Sequence, residues 1–169
     1  PFFTVLIPTK NRSEIVGGAI RSVLDQSFGD FEIVVSDNDD SATATRDVVA
    51  AIRDPRDRSV RTSGRLPMHE NWENALKHAT GTHVLLVEDK QRLAKNALQV
   101  LRDILATRPD AVVSYPVVLP EAETPPPVPG TPELRTLKSE DLVRRFCRFD
   151  ADIHPLLPRA LNSTAPRAL

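Results

Sequence analysis

The stretch VLLVEDKQRL, residues 84–93, runs four apolar residues directly into two carboxylates and an ammonium group. A short apolar run followed by polar residues is typical of a strand that is buried on both faces. Residues 93–107 then repeat apolar side chains at helical spacing, which predicts a helix. The stretch therefore predicts a buried strand that ends by bringing three charged side chains together, namely Glu88, Asp89 and Lys90.

The same alternation of strand and helix recurs on both sides of this stretch. Strands that are apolar on both faces and separated by helices indicate the α/β class, with a mainly parallel sheet flanked by helices. The polar stretch 54–65 holds a very short strand at best. Trp72, in the predicted helix 71–80, is expected to pack in the hydrophobic core. The predicted strands are 2–8, 31–37, 82–87 and 111–115, and the predicted helices are 14–26, 43–53, 71–80 and 93–107.

Three polar segments follow predicted strands: PTKNR at 8–12, SDNDD at 36–40 and EDK at 88–90. Ligands of parallel sheets bind at the carboxyl ends of the strands, so we expect these segments to share one edge of the sheet, the rim. Each also has a purely structural interpretation, as a helix start, a turn and a solvated strand end respectively. Two adjacent carboxylates at a ligand-binding rim suit a divalent cation that is shared with phosphate oxygens.

The last third of the chain has a different composition. Residues 119–133 are Pro-rich and predict a loop, because each proline lacks a backbone donor and fixes its own φ. A helix is expected at 140–149, behind Ser139, and a loop after it. We expect a nucleotide-sugar-binding core domain at 1–115 and a partial, incomplete acceptor-side region with the Pro-rich loop at 116–169.

Composition narrows the classes of partner. The chain has 22 Lys and Arg against 23 Asp and Glu, with no basic stripe, which argues against nucleic acid as a partner. Cys147 is the single cysteine, so no internal disulfide can form and a reducing, cytoplasmic setting fits. No apolar run reaches the roughly 20 residues of a membrane span, and a soluble protein without a transmembrane segment is expected.

Taken together, the motifs resemble the family 2 glycosyltransferases, which have the GT-A fold. The segment from 3 to 38 carries P-T-x-N-R, S-V-L-x-Q-S-F and F-E-I-V-V-S-D-N in order. The helix after it matches the family at Asn71-Trp72, Asn74-Ala75 and Ala79-Thr80-Gly81. The resemblance covers residues 3 to 107.

The resemblance implies transfer of a sugar from a nucleoside diphosphate sugar, of the UDP type, to an acceptor hydroxyl, usually with inversion. It places Pro8, Thr9 and Lys10 beside the nucleotide. Asp37 and Asn38 fall where the family has acidic residues that meet uracil and ribose. Glu88, Asp89 and Lys90 fall on the metal-binding D-x-D motif. Two further residues, from a loop and a helix, are expected at the same rim. The donor-side residues are thus Pro8, Thr9, Lys10, Asp37, Asn38, Arg65, Asn71, Glu88, Asp89 and Lys90.

The sequence departs from the family at the end of the D-x-D motif, where Lys90 replaces the final carboxylate. In one hypothesis Lys90 stands in for the metal, and Glu88 or Asp89 orients the donor. In the other, Asp89 binds Mg²⁺ or Mn²⁺ through water and Lys90 turns into solvent. Coulomb repulsion between a cation and an unpaired ammonium group favours the first.

An inverting transfer also needs a general base. Glu140 and Asp141 are the paired carboxylates after the Pro-rich segment, although acidic residues in a first helical turn also complement the helix dipole. His154 is a further candidate, and a base beyond Leu169 is a third possibility. By analogy, the acceptor is a glycan, a lipid-linked molecule or a small molecule, as in polysaccharide biosynthesis at the inner face of a membrane.

A different class of function also fits the altered motif. A GT-A scaffold without its metal motif can serve as a non-catalytic module that binds a nucleotide or a partner protein. Nucleotidyl transfer is disfavoured, because no Gly-rich phosphate loop follows the first strand. Nucleotide binding and turnover, measured side by side, separate the transferase from the module.

Overall fold

A computed structural model describes residues 1–39, 44–109, 111, 113–114 and 163–166. The predicted Pro-rich loop, the predicted helix at 140–149 and most of the predicted acceptor-side region lie outside the described residues. No helix of the described part is both long and apolar enough to cross a membrane.

The described residues form one six-stranded sheet with four helices. The strands are β1 (Phe3–Thr9), β2 (Phe31–Asp37), β3 (Asp57–Arg61), β4 (His83–Leu86), β5 (Val113–Ser114) and β6 (Ser163–Pro166). The helices are α1 (Ser13–Leu24), α2 (Ala44–Ile52), α3 (Met68–Lys77) and α4 (Ala97–Thr107). The strand order is β3-β2-β1-β4-β6-β5, in which the first four strands are parallel and β6 is antiparallel to both of its neighbours. The α/β class with a mainly parallel sheet is confirmed.

The central strand β1 sets where the functional loops lie. It pairs with β2 from Phe3↔Phe31 to Thr9↔Asp37, and with β4 from Phe3↔His83 onward. The three strands therefore start level with one another and end on the same edge. The turns that follow β1, β2 and β4 are brought side by side by this register.

Both faces of the sheet are buried, as the apolar strands require. One face packs Phe3, Val5 and Ile7 of β1 against α1 and α4. The opposite face packs Leu6 and Val34 against α3. Each fully buried aliphatic side chain of this kind contributes about 1.5–3 kcal/mol, so the sheet is a rigid support for the loops at its edge.

Several predicted elements differ in extent from those observed. The polar stretch 54–65 contains a five-residue strand, β3, because parallel pairing with β2 satisfies its backbone whatever its side chains. The tail that was expected to be a loop contributes β6, which pairs with β4 and β5. Trp72, expected in the core, is half-buried and belongs to neither hydrophobic cluster of the described residues.

Helix α4 begins at Ala97, four residues later than its apolar spacing predicts. The side chain of Gln26 accounts for this start, since its Oε1 accepts a hydrogen bond from Leu98 N at 3.0 Å and its Nε2 donates to Ala94 O at 2.8 Å. Gln26 thereby satisfies one of the first helical N–H groups, which have no partner within a helix. The Q-S-F motif thus joins the end of α1 to the start of α4.

Candidate functional site

The ends of β1, β2 and β4 are in direct contact. Thr9 Oγ1 donates a hydrogen bond of 2.9 Å to Asp89 Oδ2, which ties the end of β1 to the loop after β4. Asn38 N donates to Thr9 O at 3.1 Å, which ties β1 to the turn after β2. The rim predicted from the sequence is therefore a single continuous surface.

Asp89 is the buried centre of this surface, with 3% of its area exposed. One carboxylate oxygen accepts from Thr9, and the other accepts from Arg12 Nη1 at 3.0 Å. The Arg12 side chain is half exposed, so solvent weakens the attraction between the two charges. Both oxygens of Asp89 are nevertheless occupied by groups of the protein.

Glu88 and Lys90 flank Asp89 and are more exposed. Lys90 Nζ lies 3.2 Å from Glu88 Oε2, so the two side chains form an ion pair. Glu88 N donates at 2.9 Å to Oε1 of Gln91, a residue with 2% of its area exposed. The Gln91 Nε2 group is buried without a hydrogen-bond partner in the described part of the chain. The unsatisfied polar atom of this loop is therefore an N–H donor.

Arg92 fastens the same loop to α1. Its Nη1 donates to Gln91 O at 2.7 Å and to Asp89 O at 3.3 Å, and its Nη2 donates to Ile15 O at 3.3 Å. Burial lowers the pKa of Arg92, and the charge of Asp89 acts in the opposite direction. A Cβ atom on Gly18 would lie 2.1 Å from Arg92 Nη2, so the guanidinium occupies space that only glycine leaves.

The turn after β2 is held by carboxylates. Asp37 Oδ1 accepts from Asp39 N at 3.0 Å, and Asp37 Oδ2 lies 3.3 Å from Arg61 Nη1. Burial raises the pKa of Asp37, against the hydrogen bond from Asp39 N and the charge of Arg61. The Asp39 side chain accepts from Thr45 Oγ1 at 2.6 Å and from the backbone N–H of Asn11, which has a positive φ of 53°.

A cleft opens beside this turn. It has a volume of about 240 Å³ and is lined by Asp39, Arg61, Thr62, Gly64 and Arg65. The loop that carries Thr62, Gly64 and Arg65 is fixed by Asn38, whose amide both donates to Leu66 O and accepts from Leu66 N, each at 2.9 Å. The cleft thus combines guanidinium donors with carboxylate and hydroxyl acceptors.

The structure gives the other predicted residues distinct positions. Pro8 and Thr9 are buried in β1, and Lys10 is half-buried just beyond it. Asn71 is buried and bridges the strand ends, accepting from Ser36 Oγ at 2.7 Å and donating to Thr9 O at 3.3 Å. Arg65 is exposed in the cleft. Glu140, Asp141 and His154 lie outside the described residues.

Other rim residues were missed by the sequence reasoning. Arg12 and Arg92 contact Asp89, and Arg61 contacts Asp37. The register of β3 would have located Arg61, since it pairs with Asp37 at the end of both strands. Nothing in the periodicity marks Arg92.

Comparison with known families settles the kind of protein. The chain matches the sequence profile of glycosyl transferase family 2 over residues 4–153. The chain belongs to glycosyl transferase family 2. Its fold agrees with that of solved structures, including S. aureus TarS 1-349 in complex with UDP-GlcNAc, at a TM-score of 0.62 and 23% identity over 75% of this chain and 37% of that chain.

Two further relatives of this family 2 chain have names that describe an activity. One is the GalNAc(5)-diNAcBac-PP-undecaprenol beta-1,3-glucosyltransferase of Campylobacter jejuni, 34% identical over 60% of this chain and 33% of the relative. A structure of the mannosyltransferase PcManGT from Pyrobaculum calidifontis with GDP-Man and Mn²⁺ matches at a TM-score of 0.60 and 26% identity, over 68% and 35% of the two chains. The chain spans about a third of the length of these relatives.

The residues at the D-x-D position of this family 2 chain do not fit a divalent cation. No three His, Cys, Asp or Glu side chains among the described residues converge in a way that could hold a metal. Asp89 has both oxygens engaged, Glu88 is paired with an ammonium group, and the third position supplies Lys90 itself. Mg²⁺ and Mn²⁺ require several free oxygen ligands, and these three side chains do not supply them.

Proposed function

We propose that this chain is the donor-binding part of a glycosyltransferase that uses a nucleoside diphosphate sugar of the UDP type. The observation that carries the proposal is the contact of the three turns through Thr9 and Asp89, next to a polar cleft. This arrangement offers one end for a base and another for a diphosphate. Family membership and relatives that bind UDP-GlcNAc or GDP-Man support the same assignment.

The base and ribose are assigned to the cleft. A volume of about 240 Å³ accommodates a nucleobase, and the cleft presents both donors and acceptors to its edge. Asp37 and Asn38 are almost fully buried and engaged within the protein. Their proposed role is to fix Asp39, Arg61 and the loop 62–66 in place around the nucleotide.

The diphosphate is assigned to the part of the rim that lies between the side chains of Lys10 and Lys90. In the proposed reaction an acceptor hydroxyl oxygen forms a bond to the anomeric carbon while the bond from that carbon to the diphosphate oxygen breaks. The diphosphate leaves with the bonding electrons, and a general base takes the hydroxyl proton. Attack opposite the leaving group inverts the anomeric centre. Glu140, Asp141 and His154 remain the proposed bases within this chain.

The acceptor is proposed to be a glycan or a lipid-linked glycan. The name of the Campylobacter relative describes glucosyl transfer onto an oligosaccharide linked to undecaprenol through diphosphate. An acceptor of this kind would bring a cytoplasmic enzyme to the inner face of a membrane and into polysaccharide biosynthesis. A small-molecule acceptor is the alternative that an acceptor screen would reveal.

Calorimetry with UDP, GDP and CDP, combined with an assay of UDP-sugar hydrolysis and transfer, tests the proposal. We expect UDP to bind and Arg61→Met to weaken its binding at least tenfold, while Arg102→Met, on the exposed side of α4, leaves it unchanged. The absence of binding for every nucleotide would overturn the proposal. Binding without hydrolysis or transfer to any acceptor would favour the non-catalytic module, for which the altered D-x-D position is the supporting observation.

A further inference from the structure

We propose that this site neutralises the donor's diphosphate with side chains of the protein, chiefly Lys90, and without a divalent cation. The inference rests on the proposed function and concerns how that function is carried out. It starts from the disagreement between the D-x-D motif of the family and the groups that occupy the same position here.

The first step is the state of the carboxylates. Asp89 is 3% exposed and accepts from Thr9 and Arg12 through its two separate oxygens. Glu88 faces the ammonium group of Lys90 at 3.2 Å. A metal ion at Asp89 would compete with a buried hydroxyl and a guanidinium group, and one at Glu88 would lie beside the ammonium group of Lys90. The carboxylates of this loop are therefore partners of protein cations.

The second step is the charge balance of the two segments that flank the diphosphate position. Residues 8–12 and 88–92 contain four cations, Lys10, Arg12, Lys90 and Arg92, against the two carboxylates Glu88 and Asp89. The formal excess of two positive charges is what a Mg²⁺ or Mn²⁺ ion would otherwise supply to a diphosphate. Lys10 has no ion-pair partner among the described residues. The half-exposed ammonium group of Lys90 has further N–H donors besides the one that faces Glu88, so both lysines can contact phosphate oxygens.

The loop 88–92 is also held by groups of the protein itself. Arg92 donates to the carbonyls of Ile15, Asp89 and Gln91, and Gln91 Oε1 accepts from Glu88 N. These bonds fix the positions of Glu88, Asp89 and Lys90. The buried Gln91 Nε2 has no hydrogen-bond partner among the described residues, and an N–H donor favours an acceptor oxygen and opposes a cation.

The experiment measures UDP binding to the whole chain by calorimetry, first with EDTA and then with MnCl₂ or MgCl₂. We expect the dissociation constant to differ less than threefold among these conditions. Lys90→Asp restores a carboxylate to the motif, so it should weaken binding in EDTA at least tenfold and regain affinity with Mn²⁺. Lys95→Asp, an exposed change just beyond the loop, is the matched control and should bind UDP as the wild type does in every condition.

The outcomes separate the inference from the proposed function. If the wild type binds UDP only with Mn²⁺ or Mg²⁺, the inference is overturned and the donor assignment stands. If it binds no nucleotide under any condition, the donor assignment fails. If Lys90→Asp binds as tightly in EDTA as the wild type, Lys90 does not face the diphosphate and the inference is also overturned. A thermal melt of each variant verifies that it folds. Lys90→Met, which removes the ammonium charge without adding a carboxylate, is a second variant for the same measurement.

Discussion

Thr9 and Asp89 lie 80 residues apart in the sequence and share a buried hydrogen bond of 2.9 Å. Thr9 is the last residue of β1, and Asp89 is in the loop that follows β4, so this bond joins two parallel strands just past the point where their pairing ends. The hydroxyl offsets part of the cost of burying a carboxylate. The rim therefore depends on the hydroxyl group of Thr9, and valine has nearly the same shape without that group.

Replacing Thr9 by valine removes this donor and preserves the volume. We expect Thr9→Val to lower the free energy of unfolding by about 1–3 kcal/mol, because one oxygen of Asp89 is left buried without a partner. Urea denaturation measures the change. Thr107→Val, at an exposed helix end, is the control and should stay within about 0.5 kcal/mol of the wild type. Equal stability of the two variants would contradict the role assigned to Thr9.

Gly18 makes room for Arg92, and alanine at this position should expel the guanidinium. Helix propensity alone predicts that Gly18→Ala stabilises the protein by about 1 kcal/mol. The added Cβ would lie 2.1 Å from Arg92 Nη2, so we expect UDP affinity to fall severalfold. The lost hydrogen bonds of Arg92 should offset the gain from helix propensity, so that the free energy of unfolding changes little.

A double-mutant cycle in UDP binding assigns that loss to Arg92. Arg92→Met should weaken binding on its own and have little further effect in the Gly18→Ala background. Additive losses would show that Gly18 acts through some other contact. Gly29→Ala adds a methyl group in open space and should leave binding unchanged.

Gly81 approaches the backbone of β1 too closely for any side chain. A Cβ atom there would lie 2.7 Å from both Phe3 C and Thr4 N, and backbone atoms cannot turn aside as a flexible side chain can. We expect Gly81→Ala to destabilise the protein by about 1–3 kcal/mol or more. Thermal and urea unfolding measure this, again with Gly29→Ala as the control. An unchanged melting temperature would mean that β1 and the start of β4 are farther apart than described.

Asp57 makes stability depend on pH. Both of its carboxylate oxygens are buried without a hydrogen-bond partner among the described residues. Burial, and then the charge of Asp54, raise the pKa of Asp57 from 3.8 to about 7. The folded state thus holds this proton more tightly than the unfolded state does. The stabilisation is complete below the ordinary pKa and is lost as the pH rises through about 7.

Asp57→Asn removes this titration and should flatten the corresponding part of the pH profile. At pH 8 we expect the variant to be more stable than the wild type by about 1–3 kcal/mol, since no charge is buried. Urea unfolding between pH 4 and 8 measures the difference, and Asp103→Asn on the exposed face of α4 is the control. Parallel profiles for the wild type and Asp57→Asn would exclude a buried, uncharged Asp57.

The strands and the rim were predictable because they follow from local patterns. The apolar runs at 2–8 and 31–37 carry the burial signal of a parallel sheet, and the register then brings the polar turns together. The contacts within the rim were not predictable in this way. The pairing of Arg12 with Asp89 depends on a separation of 77 residues, and Arg92 finds its position through the missing side chain of Gly18.

The element boundaries failed where tertiary contacts override local preference. Hydrophobic spacing predicts α4 from residue 93, but Leu93 N donates to Ser22 Oγ and Gln26 binds Leu98 N, so the helix starts later. Strand β6 lies in a segment whose composition indicates a loop. Its partner β4 lies in the middle of the chain, and such long-range pairing leaves no periodic signal in four residues.

The position of β6 also bears on how the protein can be produced. Strand β5 reaches the sheet only through β6, which lies between it and β4. A fragment cut after Thr107 would retain every turn of the rim but would leave the outer backbone groups of β4 open to strands from other molecules. We expect such a fragment to form aggregates on expression, whereas one that extends through Pro166 has this edge covered.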